Sequence, residues 1–396
     1  MSDAKIQYMG TETIVPSGRS AVMVSTGKTM AGDVVFYAGE GGGSVAVDYI
    51  LESTGDKTDR TAEILAMLET YGVCQLGKGV FYVSNLDMPS DTTLQGFGHD
   101  SSIYLNKDVE NGYAVQIGVH CTVQDLTIIG QYEGIPSSVG TRHGIIVKGD
   151  ASTDNTFDVR WMPTITNCYI EGFTGGGITC HDTGYGLLHG LNVTNCKIYN
   201  CGAGINIDEW SEYHRFTNVA CHSCRYGCIN NGGNNVFVNC TFSQNTTGFS
   251  ITGNNFSVGH ANDAHGSTIG CIINHSGNNN GRAIEILGTT SGYVFQGCQV
   301  FYGSIYVNNA RGVTFDGMNF GQNIPIEIYH GGLIMFTDCA FSTAPIMTTV
   351  DNKNVKMFHC YTLDGAQIGE SIKFDPWKFT FADGTVDDRK VLINES

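Results

Sequence analysis

The chain has 396 residues, with 21 Lys and Arg against 38 Asp and Glu and a formal net charge of −17. That balance, with no Lys/Arg block, excludes a nucleic-acid backbone as partner, and no apolar run approaches the ~18–20 residues of a membrane span. Gly is abundant (52), Pro scarce (7) and only 15% of residues are charged, which fits closely stacked turns in one large elongated domain rather than disorder.

The opening MSDAKIQYMGTETIV has neither a basic n-region nor an apolar h-region, so the expectation is synthesis in a reducing cytoplasm without a secretory signal. Within residues 1–50, TETIVPSGRSAVMV and TMAGDVVFYA, followed by GEGGGS (39–44), read as a short β-rich or extended arm with a flexible joint. A helix is expected near 59–71. Thr58 or Asp59 serves as N-cap, Glu63 sits in the first turn, and Ile64, Leu65 and Leu68 form an apolar face that covers the open end of the strand-rich region beyond it. Strand-like segments come next at GVFYVS (79–84), TTLQGFG (92–98) and SSIYLN (101–106).

From residue 165 a marker segment recurs nine times: ITNCYI (Cys168), VTNCKI (Cys196), FTNVAC (Val219), FVNCTF (Cys240), TIGCII (Cys271), FQGCQV (Cys298), TFDGMNF (Met318), FTDCAF (Cys339) and MFHCYT (Cys360). The last three steps between central residues are 20, 21 and 21 residues; earlier ones stretch to 31. A short fixed period with insertions marks a solenoid whose repeats pack only on their neighbours. Each repeat carries a second alternating strand: GGGITC (175–180), AGINID (203–208), YGCINN (226–231), TGFSIT (247–252), RAIEIL (282–287), GSIYVN (303–308) and IPIEIY (324–329). Helical periodicity is absent. Two or three strands in ~20 residues describe one rung of a parallel β-helix; leucine-rich repeats need a Leu pattern that is missing.

The fourteen cysteines mostly share one inward phase, so they are expected to be reduced core thiols. Cys221-His222-Ser223-Cys224 reads as wall residues around a turn rather than a zinc site. The Asn preceding Cys at 167, 195 and 239 suggests a side-chain ladder at a turn. The helix is expected to span 51–365, and the alternating tail 366–396 to close its C-terminal end.

Equivalent turns of a solenoid lie side by side. The insertions HDTGYGLLHG (181–190), DEWSEYHR (208–215), GNNFSVGHANDAHG (253–266) and GTTSGY (288–293) come after the second strand and should line one edge. Glycoside hydrolysis needs two carboxyl groups, one a proton donor and one ionised. Asp208, Glu209 and Glu212, with Asp182 one rung (~5 Å) away, are the candidate catalytic set. Trp210 and Tyr213 would stack on sugar, Arg215 would hold an acidic one, and His181, Tyr185 and His214 would line the site. A lesser cluster, His260 to His265 with Asp263, reads as a rim loop, its metal-binding alternative being weakly patterned. Glu285 and Glu327 share an outward phase on wall strands. They face either a groove, where Glu285 would contact substrate, or solvent. No metal or cofactor is expected, except Ca²⁺ if the chemistry is eliminative.

STGDKTDRTAEILAML…GKGVFYVSNLDMPSDTTLQGFGHDSSIYL (53–105) resembles the opening of pectate-lyase-like right-handed parallel β-helices: an acidic turn, a capping helix, then G-x-[VF]-Y and L-x-G-x-G strands. The resemblance extends over about residues 50–365 and implies an all-β right-handed solenoid. Among its members, the absence of a signal makes phage tailspikes and tail-fibre depolymerases most similar. It therefore implies a virion-associated homotrimer, attached to other virion proteins through residues 1–50, that binds and cleaves a bacterial surface polysaccharide. A non-catalytic fibre or glycan-binding module, and a lyase or fructotransferase-like enzyme, are the alternatives. The stacked Asp set of pectate lyases and the Asn-x-Asp, Asp-Asp, Gly-His-Gly series of polygalacturonases are both missing, which argues against pectin.

Overall fold

The computed structural model describes residues 50–363 and Gly365, apart from 149–161, 182–187, 210, 253–263, 275–280, 289, 309, 311, 322–323, 330–331, 343–346 and 350–354. At 181, 188–189, 291 and 347–349 it describes the backbone alone. Outside this span it describes short backbone strands. Ala4–Tyr8 pairs antiparallel with Thr11–Val15, Ser20–Met23 with Val35–Ala38, and Phe379–Thr380 with Val386–Asp387. The expected arm and closing tail otherwise lie outside the described residues.

Three parallel sheets form the body. Each rung contributes a strand to the first sheet (13 strands, Ile50–Leu51 to Val355–Phe358) and then to the second (12 strands, Gly79–Val83 to Tyr361–Thr362). A strand of the third sheet (11 strands, Leu86–Asp87 to Met347–Thr349) completes it. The downstream segments of the sequence repeat are third-sheet strands. Ile178, Ile205, Cys228, Phe249, Ile284, Ile305 and Ile326 stack rung on rung, each fully buried. The first sheet contributes a second inward column in which Phe216 stacks on Phe237 and Phe315 on Phe336, both at 4.8 Å between centroids. Period-two alternation puts these residues inside; the large rings fill the prism.

The marker segment is the corner from first to second sheet. Asn167, Asn195, Asn218, Asn239 and Asp338 have φ of 52–54° there, and Gly270, Gly297 and Gly317 take the same turn at 58–61°. Asn and Asp tolerate this left-handed backbone better than other side-chain-bearing residues. Their side chains also ladder outward: Asn218 Nδ2 donates to Asn195 Oδ1 at 2.8 Å and Asn167 Nδ2 to Asp125 Oδ1 at 3.0 Å. The next residue points inward. All fourteen cysteines are free and buried. Cys196 Sγ donates to the Thr194 carbonyl at 3.3 Å, and burial pushes the Cys180 and Cys228 thiols well up, so they stay protonated.

At the N-terminal end of the stack a helix runs Thr61–Tyr71, with Ile64 and Leu68 buried against Val73–Leu76 and Leu86–Asp87, and Leu65 half-buried. Arg60, not Thr58 or Asp59, occupies the N-cap position, while Asp59 Oδ1 accepts the Thr61 N–H at 2.8 Å. Arg60 N–H donates to the Tyr82 carbonyl at 2.7 Å and Asp59 bridges Tyr82, so this segment meets the free edge of Gly79–Val83. Gly72, at φ 69°, ends the helix with its N–H on the Leu68 carbonyl.

Candidate functional site

The insertions all leave the third sheet and re-enter the first, so they share one corner. Two of them stack directly. Leu188–His189 pairs in parallel with Ser211–Glu212, Leu188 opposite Ser211 and His189 opposite Glu212. Asp208 N–H donates to the Cys180 carbonyl at 3.2 Å, which sets Asp208 one rung after the backbone of His181. The stretch 149–163 between Arg142–Lys148 and Thr164–Thr166 was not singled out from the sequence, and its residues 149–161 lie outside the described residues. Asp182, Tyr185, Trp210, His260 and Asp263 lie outside the described residues.

Over 212–215 the side chains alternate between buried and exposed. Glu212 is 6% exposed, Tyr213 38%, His214 0%, and Arg215 is exposed. Tyr213 has φ 59°, a conformation that disfavours a bulky residue, and its N–H donates to the Gly233 carbonyl at 3.2 Å. This turn corrects the expectation for His214. Its ring points into the prism, edge-on to Phe216, and Nδ1 accepts the Leu191 N–H at 3.1 Å. It cannot line a substrate surface from there. Arg215 begins a first-sheet strand between Asn192 and Val236, pointing outward.

Asp208 is half-buried, and its Oδ1 accepts the Ser211 hydroxyl at 2.5 Å. Glu209 beside it is also half-buried. The next rung turns through Gly232-Gly233-Asn234. A Cβ on Gly233 would lie 2.5 Å from His265 Cε1 and 2.8 Å from Glu212 Oε1, so the two side chains converge on the space this glycine leaves. Burial raises the Glu212 carboxyl above its ordinary value, against the opposing pull of His265 and of a hydrogen bond from Asn234. The corner therefore holds a nearly buried carboxyl biased toward its protonated form, a second carboxylate oriented by Ser211, an imidazole and an exposed tyrosine.

Glu285 has the outward phase expected of it, in register with Ser250, Tyr306 and, one rung on, Glu327. Outward is not exposed here. Glu285 is 6% accessible, paired with Arg282, and accepts the Ser250 hydroxyl at 3.1 Å, while Arg282 lies 4.0 Å over the Tyr306 ring. Both the expected substrate contact and the solvated alternative for Glu285 are thus corrected, because its own neighbours cover the carboxylate.

Sequence reasoning singled out the loop containing His265 but not its meeting with Glu212, and it passed over Asn234. The available signal was the Gly-Gly-Asn turn one rung after Glu212. Among the described residues no group of three or more His, Cys, Asp or Glu is placed to hold a metal ion, and no helix is long and apolar enough to cross a membrane.

No protein-family profile and no curated protein sequence matches this chain. Solved structures do. The A-module of the Azotobacter vinelandii mannuronan C-5 epimerase AlgE4 superposes with a TM-score of 0.56 at 12% identity, over 82% of this chain and 98% of that one. The catalytic unit of a GH87 α-1,3-glucanase from Streptomyces thermodiastaticus gives 0.54 at 14%, over 86% and 72%. The tailspike protein of Escherichia coli bacteriophage HK620, determined with a hexasaccharide, gives 0.56 at 10%, over 78% and 62%. With three continuous parallel sheets and these neighbours, the chain is a right-handed parallel β-helix, a fold it shares with phage tailspikes and carbohydrate-active enzymes.

Proposed function

We propose that this chain binds a bacterial surface polysaccharide along the third-to-first corner and hydrolyses a glycosidic bond there. Glu212 is the proton donor and Asp208 the ionised partner. The observation that carries the reading is Glu212, a nearly buried carboxyl held toward its protonated form where the inserted loops stack. In the step, Glu212 gives its proton to the leaving glycosidic oxygen as the bond to the anomeric carbon breaks. Water adds to that carbon, and its proton passes to Asp208. Tyr213, exposed beside Glu212, supplies a ring face for the sugar. Glycans named with two of the structural neighbours, an α-1,3-glucan and a hexasaccharide, support carbohydrate as the ligand class.

The test is incubation with a panel of capsular and O-antigen polysaccharides, followed by size exclusion and reducing-end assay. Shortened chains with new reducing ends are expected, lost in Glu212→Gln and strongly slowed in Asp208→Asn. Full cleavage by both variants removes the site assignment. Ultraviolet-absorbing unsaturated ends would identify an eliminative reaction, and binding without shortening a glycan-binding module. The same reading makes the protein a virion-attached homotrimer, which sedimentation equilibrium checks.

A further inference from the structure

We propose that His265 is a positioning residue for Glu212: their side chains, carried by loops two rungs apart, meet across the gap at Gly233 and act as one carboxylate–imidazole pair. The register fixes the geometry. Arg215 pairs with Val236 and Asn235 with Gly266, so the Gly233-Asn234 turn is the layer between Glu212 and His265. Neighbouring rungs are ~4.8 Å apart, so two side chains separated by a whole rung ordinarily have the intervening side chain between them. Here that layer presents glycine, and both the His265 ring (Cε1 at 2.5 Å, Nε2 at 2.9 Å) and Glu212 Oε1 (2.8 Å) reach the position its Cβ would occupy. Among the described residues, charged groups lie on the neighbouring loops. Asp208 is engaged by Ser211 in the same loop, and Arg215 lies on the outer first-sheet face. On the preceding rung the backbone of His189 pairs with Glu212, and Asn234 on the following rung is neutral.

The consequence is chemical. The His265 imidazole opposes the effect of burial at Glu212. It favours the ionised carboxyl and so limits how far burial can raise Glu212. Resting on the reading of Glu212 as proton donor, His265 would thereby set the basic limb of the activity.

The experiment is a carbon-13 NMR titration of carboxyl-labelled glutamate in the intact chain, with the Glu212 signal assigned by its loss in Glu212→Gln. In His265→Asn, which keeps a hydrogen-bonding side chain, the Glu212 midpoint moves upward. In Gly233→Ala, which keeps both groups but parts them, it moves the same way. Asp208→Asn serves as a nearby control. An unchanged midpoint in a folded His265→Asn overturns the proposal whatever the enzyme does. If the midpoint moves but Glu212→Gln still cleaves at the native rate, the pair stands and the catalytic reading falls. Where cleavage is measurable, the basic limb of the rate profile in His265→Asn should move with the NMR midpoint, a coupling that a purely structural role would not produce.

Discussion

Two adjacent glycines should respond to the same substitution in opposite ways. In Gly233→Ala the nearest atoms to the new methyl are side-chain ends, His265 Cε1 at 2.5 Å and Glu212 Oε1 at 2.8 Å. Ordinary contact is ~3.5 Å or more, so each must retreat by roughly 1 Å. Rotation can supply that, and the expected loss of stability is about 1 kcal/mol. The pair would be separated, however, and a misplacement of ~1 Å in a catalytic group costs on the order of 10²-fold in rate. In Gly232→Ala the methyl would lie 1.8 Å from the Ser211 carbonyl oxygen and 2.9 Å from that of Asp208. Both are backbone atoms, and Ser211 is tied in register to Leu188 on the preceding rung. Relief requires moving the chain, at about 3 kcal/mol or more. Parallel thermal melts and depolymerisation rates on purified variants make the comparison. Near-native melting with rate loss is expected for Gly233→Ala, and depressed melting for Gly232→Ala. Equal destabilisation by the two, or an unaltered rate in Gly233→Ala, would refute the steric account.

Other positions give further expected outcomes. Because the folded Glu212 carboxyl titrates above its unfolded value, the native state binds the extra proton. That contribution is fully present below the unfolded value and is lost as pH rises through the folded one. Glu212→Gln should therefore raise the melting temperature at neutral pH and flatten its decline from acid to neutral, read by melts across that range. Arg282→Ala leaves Glu285 nearly buried without its cation and should cost about 2–3 kcal/mol, discounted for the half-exposed arginine, with Glu285→Gln in the same chain restoring most of it by denaturant melts. In native protein the fourteen buried thiols should resist a water-soluble thiol reagent and should all react on unfolding.

The fold was legible because its signals are local and repeated. Cys168 and Cys196 announce the corner, since each comes after an Asn that takes the left-handed turn, and GINID or IEIL announces a wall by alternation. The pairing of Leu188–His189 with Ser211–Glu212 was legible as well, because equal phase implies adjacency. His214 escaped because parity is reset inside its own loop. Nothing in the composition of EYHR says that the tyrosine will take positive φ and send the following ring inward. Glu285 escaped because the period reports direction, not cover, and its cover is a tyrosine one rung away and an arginine on its own strand. The approach of His265 to Glu212 depends on a side chain that is absent, at Gly233, and on rung counting through an inserted loop.

Each inner wall strand of this prism bonds to the equivalent strand one turn earlier and one turn later, and each end strand to one. A segment emerging from the ribosome thus finds its docking edge already made by the turn synthesised just before it. The order of synthesis can serve as the order of assembly, and few contacts wait for distant sequence. The thiols are all free in the folded chain, so a growing edge carrying Cys196 or Cys221 has no native cross-link to form before the next turn docks. The third-to-first corner stands outside this sequence of events. Its loops can lengthen or change without disturbing the edge that receives the next turn, which leaves the chemistry of the flank free to vary while the column of rungs is kept.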